Sequence, residues 1–130
     1  MGETAASAPR LRREQISGMN IHYIMWSLDY FLDAQQRIGF KSIELWGAEP
    51  HVTLDHTGYF EAGQLRRKIE SRGLNVSSLC PENVVYPWQY AARKPLHAER
   101  SIAYFKHGIE LAEVLGAPYM SINSGWGDWD

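Results

Sequence analysis

The sequence predicts an α/β fold, a (β/α) barrel reduced to about its first four strands and three helices, on three observations. Short apolar β-branched and aromatic runs alternate strictly with stretches whose apolar residues recur every three or four positions. Each helical stretch closes on a glycine, at Gly39, Gly73 and Gly116, and an apolar strand follows within one or two residues, which is the sequence form of repeated right-handed β-α-β crossovers in a parallel sheet. The turn after the first strand is Trp26-Ser27-Leu28-Asp29, with no glycine, whereas a nucleotide-binding open sheet usually carries a glycine-rich turn there. That turn favours the barrel over the doubly wound sheet, which periodicity alone leaves open.

Residues 1–18 are small, polar or basic and end at Gly18; they carry too little apolar content to order themselves and are expected to be a flexible tail, with the half barrel spanning 19–130. From Met19, the run Ile21, Tyr23, Ile24, Met25 and Trp26 reads as the first, buried strand. Ser27 or Asp29 caps a helix carrying Leu28, Phe31, Leu32, Gln35 and Ile38 on one face. Residues 40–46 form the second strand, and 60–72 a helix with Leu65 and Ile69 inward. Residues 74–79 form the third strand, and 96–115 a longer helix with Ile102, Phe105, Ile109, Ala112 and Leu115 in register. A fourth strand is expected over 118–122.

A chain of 130 residues, 45% hydrophobic and 22% charged, allows one domain, while a complete β/α barrel needs roughly twice that length. A net charge of -2 does not draw the chain toward nucleic acid or an anionic membrane. The single Cys80 excludes an internal disulfide framework and suits a reducing compartment, and no run approaches the ~20 apolar residues of a membrane span; a cytoplasmic location is expected.

Ile43-Glu44-Leu45-Trp46-Gly47 followed by Pro50-His51, then Pro81-Glu82-Asn83 with Tyr86-Pro87, then Glu110-Leu111-Ala112 running into Gly116-Ala117-Pro118-Tyr119, resemble the xylose-isomerase-like family of sugar isomerases and epimerases, and within it the fructoselysine 3-epimerases. The likeness spans residues 19–130 and implies a TIM-type barrel. It also implies proton transfer beside a ketose or ketosamine carbonyl through an enediolate, assisted by a divalent metal such as Mn, Mg, Co or Zn. The family's two catalytic glutamates, and the aspartate and histidine that complete its metal site, sit on later strands than this sequence contains. None is carried over, so no catalytic or metal-binding residue is assigned and no metal is expected on this chain. The ending Gly125-Trp126-Gly127-Asp128-Trp129-Asp130 resembles the loop after the fourth strand, and the chain is expected to be a truncated barrel, inactive alone.

In such a barrel the loops after the strands form one rim, here Trp26, residues 46–56, 80–90 and 123–129. Sugars pack their C–H faces on indole rings, so Trp46 and Trp126 are candidate walls of a polyol pocket, against the alternative of ordinary packing. His51, a possible partner for a substrate hydroxyl, and Glu82, directly after the third strand, join them; Tyr23, chosen over His22 by the resemblance, completes the substrate-binding set. Glu49, His51, Asp55 and His56 are the densest cluster of metal-ligand types, but their spacing matches no compact site and reads as a solvated loop. Glu44 alternates with Ile43 and Leu45, which allows it to point into the barrel, a structural role and a polar-pocket role standing equal. Cys80 reads as a small apolar plug, and Arg66-Arg67-Lys68 as a solvated helix face.

Half a barrel exposes two sheet edges and an expected apolar inner face, which predicts self-association. A non-catalytic half-barrel binding or assembly module is the rival reading. A base-excision endonuclease, which shares the fold, is disfavoured by the acidic balance. The partner expected of the parent barrel is a small sugar, not nucleic acid or a membrane.

Overall fold

The structure, a computed structural model, describes residues 11–82 and 88–123; the first ten residues of the expected tail lie outside them. The elements run β1 (Ser17–Met19), α1 (Leu28–Ile38), β2 (Ser42–Gly47), a hairpin of β3 (Leu54–Asp55) and β4 (Gly58–Tyr59), α2 (Ala62–Glu70), β5 (Asn75–Pro81) and α3 (Pro95–Leu115). The sheet order is β1-β2-β5, parallel throughout, and a parallel bridge from Leu79 to Met120 adds a fourth position. Strand order therefore follows chain order, as in a barrel wall; a doubly wound sheet reverses at a switch point.

Each helix is set by local chemistry. The Ser27 hydroxyl accepts from the Tyr30 amide and starts α1, and Gly39 ends it at φ 87°, a conformation that costs a residue with a Cβ dearly. Pro95 opens α3 and Gly116 closes it at φ 70°. Phe31 and Leu32 of α1, Leu65 and Ile69 of α2, and Tyr104, Leu111 and Leu115 of α3 pack in one core with Ile43, Leu45, Val76 and Leu79 of the sheet. Each large apolar side chain buried there contributes about 1.5–3 kcal/mol. The strand members of the core all leave by one face of the sheet, so the three helices cover that face together and the opposite face is the barrel's inward one. A bulge between Ile43/Glu44 and the facing stretch of β5 gives β5 one extra residue, which keeps both Val76 and Leu79 on the helix side.

Four expectations are corrected. The first strand is Ser17–Met19, ahead of the apolar run; residues Asn20–Tyr23 form a 3-10 turn, and Ile24, Met25 and Trp26 are exposed. The ladder stops because the Asn20 side chain takes over the hydrogen bonds to β2, leaving the backbone free to turn. Ile102 and Ile109 are exposed, because the buried stripe of α3 runs through Ser101, Tyr104, Gly108 and Leu111. The inward face is not apolar: it carries Ser17, Ser42, Glu44, Trp46, Ser78 and Cys80, with the Ser17 hydroxyl 2.6 Å from that of Ser42 and 3.0 Å from that of Ser77. Alternation puts the polar residues there because the apolar ones are used against the helices. Finally, the basic run is not merely solvated: Arg66 donates to the Val114 carbonyl of α3, and Lys68 donates to Asp29 of α1.

The alternation expected of the second strand holds, whereas Ile38, expected on the core-facing stripe of α1, is exposed at the helix end. Ile43 and Leu45 are fully buried while Glu44 is half-buried on the inward face. The hairpin inside the 46–60 loop has no strand-like run to announce it; it is built by Asp55, whose Oδ1 accepts from the Thr57 amide and hydroxyl and the Gly58 amide.

Candidate functional site

The C-terminal ends of β1, β2 and β5 converge on Asn20, a residue that is fully buried. Its Oδ1 accepts from the Trp46 amide at 2.6 Å, and its Nδ2 donates to the Trp46 carbonyl at 3.1 Å. The carboxamide thus imitates one more peptide unit of β1, holding β2 after the β1 backbone has turned away. The same Nδ2 lies 3.1 Å from His51 Nδ1, and His51 Nε2 lies 2.8 Å from the Trp26 carbonyl. A carbonyl only accepts, so Nε2 carries the proton and Nδ1 accepts from Asn20. His51 therefore ties the loop after β2 to the loop after β1.

On the inward face, the Trp46 indole N–H donates to Glu82 Oε2 at 3.0 Å, joining the end of β2 to the residue just past β5. Tyr104, fully buried on α3, braces both strands: its hydroxyl donates to the Gly47 carbonyl at 3.3 Å and accepts from the Glu82 backbone N–H. Burial pushes this phenol well above its ordinary range, so it stays a neutral donor. Trp88 lies flat on Tyr104, the rings 4.2 Å apart at 2°. Cys80 sits beside this group, half-buried; burial, against the opposing effect of a Ser121 hydrogen bond, pushes its thiol up and favours the neutral form.

The structure thus brings Trp46, Glu82 and His51 into one connected group. It does not bring Tyr23 to them: that ring packs on Phe31, at 5.1 Å between centroids, and on Trp26 and Tyr30, at the edge of the core beside the start of α1. Trp126 lies outside the described residues. The sequence does not single out Asn20 or Tyr104, since a lone asparagine just ahead of an apolar run carries no signal and a tyrosine within a long helix reads as core. The short stretch from Asn20 to Ser27, lacking regular alternation, was the available signal.

A cleft of about 120 Å³ opens between the N-terminal parts of α1 and α2, lined by Leu28, His51, Phe60, Gln64 and Lys68. It is smaller than the roughly 300 Å³ at which small-molecule pockets begin, and it lies on the helix side of the sheet.

The described residues do not form a site for a divalent ion. Among the described residues no three His, Cys, Asp or Glu side chains stand close enough together to hold one. Three members of the cluster expected to come nearest are spent on structure: His51 uses both ring nitrogens, Glu49 accepts from the Thr53 hydroxyl, and Asp55 makes its turn; the fourth, His56, has a buried Nδ1 without a hydrogen-bond partner but stands in no group of three ligand side chains among the described residues. A ligating histidine needs a free nitrogen lone pair, which His51 has committed to Asn20.

The strand ends, the inward Trp46 and the parallel order are the features of one wall of a barrel. The model of the Xylose isomerase-like TIM barrel family matches residues 32–130. The chain belongs to this family. Among solved structures it is similar to a sugar phosphate isomerase/epimerase from Parabacteroides distasonis, at 14% identity and a TM-score of 0.54, over 92% of this chain and 42% of that one. At that identity the likeness speaks for the fold, a partial TIM barrel, and the chain spans less than half the neighbour's length. No curated protein matches. No helix among the described residues is long and apolar enough to cross a membrane.

Proposed function

We propose that this chain supplies the N-terminal, sugar-facing wall of a ketose or ketosamine epimerase or isomerase barrel. The observation that carries the reading is the Trp46–Glu82 pair, an indole edge hydrogen-bonded to a carboxylate on the inward face at the C-terminal ends of two adjacent strands. That is where ligands of this fold bind. An indole face packs on the C–H surface of a sugar, and a carboxylate held in place beside it accepts from hydroxyls with little loss of freedom on binding. The serines and Glu44 deeper on the same face make it a polar floor suited to a polyol.

Proton transfer through an enediolate, and the divalent metal that the family resemblance implies for it, are the task of carboxylates that the described residues do not provide. This chain's own residues bind and orient; alone, it binds without turning over. Fructoselysine is the substrate to try first, since the motifs around Trp46 and Glu82 resemble enzymes acting on it.

The test is titration of the 130-residue chain with fructoselysine, D-fructose and D-psicose, followed by tryptophan fluorescence and calorimetry with and without Mn²⁺. Saturable millimolar binding, about -4 kcal/mol, is expected, weakened by Trp46→Ala and Glu82→Gln and unchanged by the metal. Proton NMR in D₂O should show no exchange of the sugar's carbon-bound hydrogens. Absence of saturation, or equal binding by Trp46→Ala, would overturn the binding role; exchange catalysed by the chain alone would overturn the division of labour.

A further inference from the structure

We infer that His51 is a proton-controlled latch: its neutral imidazole clasps the loop after β1 to the loop after β2, and a second ring proton opens the clasp. This inference rests on the hydrogen-bond pattern around Asn20 and is independent of the sugar-binding reading.

The donors and acceptors at the clasp leave one arrangement. Asn20 Nδ2 has two N–H groups, one given to the Trp46 carbonyl at 3.1 Å and one to His51 Nδ1 at 3.1 Å, while Oδ1 accepts from the Trp46 amide at 2.6 Å. The Trp26 carbonyl takes the proton on Nε2. Every donor meets an acceptor only while Nδ1 carries no proton. A charged imidazole donates from both nitrogens, so its Nδ1–H then points at the Asn20 N–H, two donors face to face. Turning the carboxamide over presents Oδ1 to the new proton, but sets Nδ2 against the Trp46 amide and Oδ1 against the Trp46 carbonyl. One bond is regained and two are lost. Asn20 is fully buried, whereas the His51 ring is only partly so, and the ring is the member that gives way.

The charged groups around the ring do not take the added proton. Glu61 and Lys68 of α2 share its cleft, and Lys68 is held by Asp29 of α1. Glu49, two residues back in the same loop, accepts from the Thr53 hydroxyl, and His22, on the turn after β1, is exposed. Glu82 is engaged beyond the indole of Trp46. Among the described residues no carboxylate hydrogen-bonds the ring, whose partners are Asn20 and the Trp26 carbonyl. Imidazoles gain their charge between about pH 8 and 5, so the latch is closed toward the upper end of that window and opens as the pH falls through it. What it frees is the rim, since Trp26 stands at one end of the clasp and the Trp46 backbone at the other.

Hydrogen exchange of the Trp46 amide in the 130-residue chain reads the latch, because Asn20 Oδ1 is that amide's partner. From pH 8 to 5 its protection factor, corrected for the intrinsic exchange rate, should fall by about fivefold, the equivalent of one hydrogen bond, in step with the charging of the His51 ring followed by nitrogen NMR. His51→Gln keeps an acceptor and a donor but cannot charge, and should hold its protection within about twofold over the same range. His51→Phe bonds neither loop and should show the lower protection already at pH 8. Protection retained in the wild type after His51 has charged would overturn the latch. So would an equal acid loss in His51→Gln, which assigns the change to another group such as His22 or His56, and so would His51→Phe matching the wild type at pH 8.

Discussion

Asn20→Ala is the sharpest test of how the rim is built. The side chain is fully buried and serves three groups: the amide and the carbonyl of Trp46, and His51 Nδ1. Alanine fits the space without strain but leaves those groups without their partner. Each such bond contributes about 0.5–1.5 kcal/mol net, and an orphaned buried group costs about 1–3, so the loss should be about 2–4 kcal/mol. A domain of this size melts lower by about 3–5 °C per kcal/mol, which makes the expected fall on the order of 10 °C. Total stability of about 5–15 kcal/mol leaves the variant folded. Urea unfolding followed by circular dichroism measures the loss. Nitrogen NMR of His51 reads its consequence: the Nε2-protonated tautomer should predominate in the wild type and be less dominant in the variant. Asn20→Asp keeps the acceptor for the Trp46 amide but buries a carboxylate against the Trp46 carbonyl and His51 Nδ1, and should destabilise at least as much as alanine. A loss under about 0.5 kcal/mol for alanine, with the His51 signals unmoved, would refute the idea that this carboxamide stands in for a strand.

Two further outcomes are expected. The Asp29 carboxyl is held below the usual range, first by the Lys68 ammonium and then by Arg72, and Asp55 likewise by the Thr57 hydroxyl and amide. Folded values below the unfolded ~3.9 mean stability that is complete above about pH 4 and lost as pH falls through the folded values. These groups are partly solvated, so each pair should account for only about 0.2–1 kcal/mol; Asp29→Asn should flatten part of the urea-midpoint decline, and a midpoint that holds or rises from about pH 4 to 2 would contradict the assignment. Burial holds the Cys80 thiol in its neutral form, so iodoacetamide at pH 8 should label it more slowly than in urea, by at least about tenfold; equal rates would place the thiol in solvent.

The sequence by itself determined the alternation of strand and helix, the Ser27 cap, the glycine stops and the sidedness of Ile43, Glu44 and Leu45. These depend on neighbours one to four residues away, so they are written locally. The run from Ile21 to Trp26 misled, because β-branched and aromatic residues favour strands only when a partner strand is available. The structure gives β2 to Ser17–Met19 instead. The pairing of Trp46 with Glu82, the capture of His51 by Asn20 and Trp26, and the bracing by Tyr104 join residues 25 to 57 positions apart. The same holds for the polar inward face. Such contacts exist only once the crossovers have brought strand ends to one rim, and no pattern along the chain encodes which side chains will meet there.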